Sequence, residues 1–168
     1  MKKRNLNWDS FKIEYHQERQ IVAIDLMLNM EIKLAKTDWE IEMCWDVLLA
    51  LRPHLDRSSF LSTIKEMLGE GYRLAYIQEC DHVIAAIGFR YLQFLYNGKH
   101  IYIDDLSTLP GHRGKGYGSM LLNYVFDIAR EKGYKTVTLD SGYQRFDAHR
   151  LYLNEGFTLS SHHFSKSI

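Results

Sequence analysis

A chain of 168 residues is long enough for one domain with a core of its own. Hydrophobic residues make up 46% of it and charged residues 25%, the balance of a globular protein and not of a disordered one. The 21 Lys and Arg offset 21 Asp and Glu, so no net charge draws the chain to nucleic acid, and no apolar run approaches the ~20 residues of a membrane span.

Two cysteines, Cys44 and Cys80, stand far apart without metal or redox spacing. Both are expected to be reduced and buried, acting as small hydrophobes. Residues 1–30 are an N-terminal extension of undefined role ahead of a domain over 31–168. The head "MKKRNLNWDSFKIEYHQ" begins basic but continues polar and charged where a signal peptide needs an apolar core, so the expected compartment is the cytoplasm. Within the extension, "ERQIVAIDLMLNM", 18–30, carries apolar residues enough for a short helix or strand.

"EIKLAK", 31–36, reads as a short strand. Thr37 and Glu40 then form the T-x-x-E pattern of a capping box, and Trp39, Met43, Val47, Leu48 and Leu51 recur at helical spacing until "RP" at 52–53 stops the helix. A second helix spans 58–71, capped by Ser58 or Ser59, with Phe60, Ile64, Met67 and Leu68 on one face and Gly69 or Gly71 at its end. "YRLAYIQE" and "VIAAIGFRYLQFL" are rich in β-branched and aromatic residues and read as strands joined by the turn "ECDH". "YNGK" carries an Asn-Gly hairpin signal before a strand over 100–109 that ends at Pro110. A glycine-rich loop leads into a helix over 119–132, with Leu121, Leu122, Val125, Ile128 and Ala129 on one face and Gly133 as its stop. "KTVTLD" is a strand, 145–156 a helix stopped by Gly156, and "FTLSSHHFS" a last strand. The order β-α-α-β-β-β-α-β-α-β predicts a mixed α/β single domain.

The loop "GHRGKGYGSMLL" carries four glycines in eight residues. A strand, a glycine turn and a helix start make an anion site, because unpaired backbone N–H groups and the helix dipole point at the ligand. Gly114, Gly116 and Gly118 alternate with Arg113, Lys115 and Tyr117, which adds two cations. A Walker loop fails, since Tyr117 stands where Lys is required after Gly116. The dinucleotide fingerprint fails too: from Gly114 its last position is Ser119, and from Gly116 it is Leu121. Asp140 imitates the ribose-binding acid, but only 28 residues follow it, too few to complete a doubly wound domain.

The pattern that fits is R-x-x-G-x-G, Arg113 to Gly118, followed about 30 residues later by "AHRLYLNEGF" with its A-x-x-x-Y and G-F. On these motifs the chain from about Glu31 onward resembles the GNAT superfamily of acyl-CoA-dependent N-acyltransferases. "LRPHL", "DSGYQRFDAHRLYLNEGF" and "SSHHFS" further resemble a bacterial subgroup of it. The resemblance implies the GNAT fold, a mixed and largely antiparallel sheet flanked by helices, with parallel strands splayed at the CoA site. It implies acetyl-CoA as cosubstrate. Backbone N–H groups of Arg113, Gly114, Lys115, Gly116, Tyr117, Gly118 and Ser119 would hold the pyrophosphate, and the backbone of Leu106, Ser107 and Thr108 the pantetheine arm. Arg145 stands where many members have an Asn that touches the cofactor arm; an Arg there can instead reach a phosphate or an acidic substrate. Tyr152 matches the proton donor to the leaving thiolate. "YIDDLS" resembles polyamine-acetylating members, in which the first acid is the favoured base, so Asp104 is the first candidate and Asp105 the second. On a strand the two carboxylates are expected on opposite faces, and either can serve instead as an ammonium ligand or a salt-bridge partner.

The acceptor implied is an amine on a small molecule, peptide or protein. The alternative is an acyl-CoA-binding module without turnover. The resemblance allows a homodimer. No nucleic acid, membrane or metal is expected; among the eight histidines, His162 and His163 are adjacent and His149 lacks ligand spacing.

Overall fold

The computed structural model describes residues 30–168, so the expectations for the extension lie outside the described residues. From Ile32 onward the chain forms one compact unit. Its elements are β1 (Ile32–Leu34), α1 (Asp38–Met43), α2 (Trp45–Leu51), α3 (Phe60–Gly69), β2 (Tyr72–Glu79), β3 (His82–Phe94), β4 (Gly98–Thr108), a 3-10 turn (Pro110–His112), α4 (Tyr117–Glu131), β5 (Val137–Leu139) and α5 (Phe146–Asn154). The strands lie in the order β1-β2-β3-β4-β5, antiparallel except for the β4–β5 pair, which is parallel. Among the described residues no helix is long and apolar enough to cross a membrane.

The expected capping box forms: the Thr37 hydroxyl accepts from the Glu40 N–H, and the Glu40 carboxylate accepts from the Thr37 N–H at 2.8 Å. The helix expected over 37–51 is two, α1 and α2. The Cys44 N–H bonds to the Ile41 carbonyl at 3.0 Å, a three-residue turn that tightens the chain before Leu48 N–H restarts the ladder on the Cys44 carbonyl. Ile41, Cys44, Val47, Leu48, Phe60 and Ile64 from α1–α3 pack on Tyr72, Leu74, Tyr76, Val83 and Ala86 of the sheet. Complete burial of such side chains contributes ~1.5–3 kcal/mol each, so this layer fixes α1–α3 on the sheet. The helix α4 lays Leu121, Leu122, Val125 and Ala129, all buried, against β2 to β5.

The glycine stops at 133 and 156 are left-handed, φ +67° and +85°. After each, two N–H groups fold back onto the last turn: Gly133 onto Arg130 and Tyr134 onto Ala129, Gly156 onto Leu153 and Phe157 onto Tyr152. At α3 the left-handed residue is Gly71, φ +94°. Ser59 does sit at the start of α3, but its hydroxyl turns back to the Asp56 carbonyl and caps no α3 amide.

Three expectations need correction. Cys80 is exposed, not buried: Glu79 pairs with His82, which leaves Cys80 and Asp81 as a two-residue turn, with Cys80 at φ +53°. The strand expected over "FTLSSHHFS" does not form; Leu159 and Phe164 stand exposed, and without a buried face its alternation brings no gain. The glycine-loop helix begins at Tyr117, not 119, because Gly116 itself adopts the left-handed N-cap conformation, φ +87°.

Candidate active site

β4 pairs with β3 along its whole length but with β5 only through Ile101, Tyr102 and Ile103. Beyond Ile103, among the described residues, the β5-facing edge of 104–108 has no strand beside it. This splay leads to the glycine loop. Gly114 and Gly116 are left-handed, φ +74° and +87°, a conformation other residues reach only with strain. A Cβ on Gly114 would meet no atom within 4 Å, so the loop faces open space. No side chain caps α4, and its first intrahelical bond runs from Met120 N–H to the Gly116 carbonyl. The N–H groups of Tyr117, Gly118 and Ser119 therefore have no acceptor within the helix. An uncapped helix start behind two left-handed glycines fits a pyrophosphate, and the splay before it fits an extended arm.

The side chains sort by role. Lys115 is exposed, whereas the Tyr117 ring is buried and faces inward, so only its backbone is offered to a ligand. Arg113 Nε donates to the Thr108 carbonyl at 3.2 Å and ties the loop to the strand end. Ser107 Oγ donates to the Val47 carbonyl at 2.6 Å, which fixes β4 to α2. Leu106 pairs with Ile87. A Cβ on Gly118 would come within 2.9 Å of Leu151 Cδ2, so this glycine lets α5 approach the start of α4.

The two aspartates do not point apart. A bulge lies opposite Gly88 and Phe89, which pair with Asp105 and Ile103, so Asp104 is the extra residue. Both carboxylates then join one cluster. Arg90 Nε donates to the two Asp104 oxygens at 3.0 and 3.1 Å. Its guanidinium lies 5.6 Å from the centre of the Tyr72 ring. The Tyr72 hydroxyl donates to Asp105 Oδ2 at 3.0 Å, and Arg52 Nε donates to Oδ1 at 3.0 Å. Arg52 also donates to the Asp104 carbonyl at 3.0 Å. Burial pushes the Asp104 carboxyl above its ordinary value, against the pull of Arg90 and with the help of Asp105. The same burial, reinforced by Asp105, pushes the Tyr72 hydroxyl well up and keeps it a neutral donor.

Beside this cluster the Tyr102 hydroxyl donates to Asp140 at 2.7 Å, and His163 Nδ1 lies 3.2 Å from the same carboxylate. Tyr152 is half-buried on α5, four residues after Ala148. Its ring meets Phe157 edge-on at 5.7 Å, and burial raises its hydroxyl above the ordinary value, with the charge of Arg145 pulling the other way. Arg145, just ahead of α5, donates to the Leu51 carbonyl at the end of α2 at 3.2 Å.

Sequence reading missed Arg52, Tyr72, Arg90 and Tyr102. Arg90 left a signal: a lone charge inside the apolar run "IAAIGFRYLQF" demands a buried partner. Arg52 looked only like a helix stop, and nothing local announces the reach of Tyr72.

The acetyltransferase (GNAT) family model matches residues 34–157. An uncharacterized N-acetyltransferase, YhdJ of Bacillus subtilis, is 35% identical over 144 residues, 84% of this chain and 100% of its own length. The aminoalkylphosphonate N-acetyltransferase of Salmonella typhimurium is 39% identical over 66 residues, 39% of this chain and 43% of that protein. Among solved structures, AAC(6')-Iy in complex with a bisubstrate analogue, CoA-S-monomethyl-acetylneamine, superimposes with a TM-score of 0.72 at 14% identity, over 83% of this chain and 98% of the other. With splay, cradle and motifs in one unit, the chain belongs to the acetyltransferase (GNAT) family and is an acyl-CoA-dependent acetyltransferase.

Proposed function

We propose that the protein transfers the acetyl group of acetyl-CoA to the nitrogen of a primary amine, by direct attack while both are bound. The observation that carries this reading is the bulge: it sets Asp104, a carboxyl raised by burial, where β4 leaves β5 and its unpaired edge begins. When bound, acetyl-CoA supplies an activated thioester. The amide groups of the glycine loop would take its pyrophosphate, and the backbone of 106–108 its arm. Asp104 Oδ would accept the proton that an ammonium must lose before its nitrogen can attack, and its raised pKa makes it a better base than an ordinary Asp. Arg90 holds that carboxylate, while Arg52 and Tyr72 hold Asp105, which reads as a positioning residue. The Tyr152 hydroxyl, neutral at physiological pH, would give its proton to the departing sulfur. The relative named for aminoalkylphosphonates supports a small amine as acceptor.

Two substitutions test these roles by steady-state kinetics. General acid or base help is worth on the order of 10²–10⁴ in rate, part of which water can replace. Tyr152→Phe keeps the ring, so turnover should fall at least ~10-fold with acetyl-CoA affinity little changed. Asp104→Asn should cost most between the raised Asp104 pKa and the pKa of the amine, where the wild-type carboxylate meets an ammonium. The loss should shrink above the amine pKa. Full turnover in Tyr152→Phe removes it as proton donor, and a loss independent of pH makes Asp104 a substrate ligand.

A further inference from the structure

We propose that Arg145 binds an oxyanion on the acceptor, so that the substrate is an amine carrying a carboxylate or phosphonate; this rests on the acetyl-transfer reading above. The charges around the bulge carry the inference. Asp104 is held by Arg90, Asp105 by Arg52 and Tyr72, and Asp140 by Tyr102 and His163. Those pairings use up Arg52 and Arg90. Arg145 is left, among the described residues of this cluster, as the cation without a carboxylate: its one side-chain hydrogen bond goes to the Leu51 carbonyl. A guanidinium has five donors in a planar fork suited to an oxyanion, and a half-buried one without a counter-charge is costly.

Its place argues against a phosphate of CoA as the partner. Leu151 touches the position of Gly118, at the cradle. Arg145 precedes Leu151 by six residues, ~9 Å back along the helix axis. From there its side chain reaches the Leu51 carbonyl at the end of α2, next in the chain to Arg52. Arg145 therefore stands at the end of α2, where Arg52 reaches into the Asp104–Asp105 cluster, and its charge also acts on Tyr152. An acceptor with nitrogen at Asp104 and an oxyanion at Arg145 completes the ion pairing of the site. A diamine would bring a second positive charge to Arg145.

The test is initial rates of CoA thiol release from acetyl-CoA with four acceptors built on one three-carbon chain from the nitrogen: 3-aminopropylphosphonate, 4-aminobutanoate, propylamine and 1,3-diaminopropane. One charge-assisted bidentate contact predicts kcat/KM at least ~10-fold higher for the two anionic amines. Arg145→Gln should cut that preference ~10-fold through the KM of the amine, Arg145→Lys should keep part of it, and direct binding should show acetyl-CoA affinity within ~3-fold of wild type in both. Equal or better turnover of propylamine or the diamine overturns the proposal and leaves acetyl transfer standing. So does a preference that survives Arg145→Gln, or a loss of acetyl-CoA affinity with the preference intact, which would make Arg145 a cofactor contact. Acetyl-CoA binding with no turnover of any amine overturns the acetyl-transfer reading and this one together.

Discussion

Gly88 is bare because Tyr72 fills the space beside it. A Cβ there would lie 1.9 Å from the Tyr72 hydroxyl oxygen and 2.3 Å from Cζ. The ring must cross the sheet over Gly88 to reach Asp105, the residue paired with Gly88 on β4. Gly88→Ala should therefore drive Tyr72 from its buried position, at a cost of ~1–3 kcal/mol, and release Asp105. Urea unfolding of Gly88→Ala, Tyr72→Val and the pair checks this. The double variant should lose clearly less than the sum of the singles, because Tyr72→Val removes the ring that the added methyl group displaces. Additive losses would mean the two positions act separately. At this scale the sequence was legible where chemistry is local. "DD" offers the acidic pair and A-x-x-x-Y offers Tyr152 as candidates, but the partners of Asp104 and Asp105 come from 14 to 53 residues away. No local pattern carries such pairings.

Elements were the most legible scale, since caps and stops act within a turn of the residues that make them. The Thr37–Glu40 box and the left-handed glycines at 133 and 156 were visible directly and formed as expected. The bulge was not, because a bulge is a mismatch between two strands and appears in neither alone. The same limit explains the missing last strand, whose alternation has no buried face to meet. Thr37→Ala should cost ~1 kcal/mol in urea unfolding, as an N-cap residue usually does. Backbone N–H groups of Lys36 and then Thr37 hold the Glu40 carboxyl below its ordinary value. Its stabilising share is therefore present above the unfolded glutamate pKa and is lost as pH falls through the lowered folded value. The difference in stability between wild type and Glu40→Gln should narrow over that acidic window; a difference constant with pH would show that the charge of Glu40 plays no part in the cap.

In the described unit as a whole, two layers of helix cover the sheet, α1–α3 on one face and α4 on the other, and the two sides of the site come from different layers. The acidic cluster depends on α2 through Arg52 and Ser107, whereas the cradle is the start of α4, with α5 drawn against it at Gly118. The splay between β4 and β5 lies between them, and α5 packs at Gly118, so motifs about 30 residues apart in sequence meet in the fold. The most direct measurement is amine-dependent release of the CoA thiol from acetyl-CoA by the purified protein, with the acetylated amine identified by its mass. Acetyl transfer predicts release that requires both ligands, saturates in each and falls at least ~10-fold in Tyr152→Phe. Acetyl-CoA that binds, and raises the melting temperature as any native-state ligand does, while no amine accelerates thiol release, would contradict it.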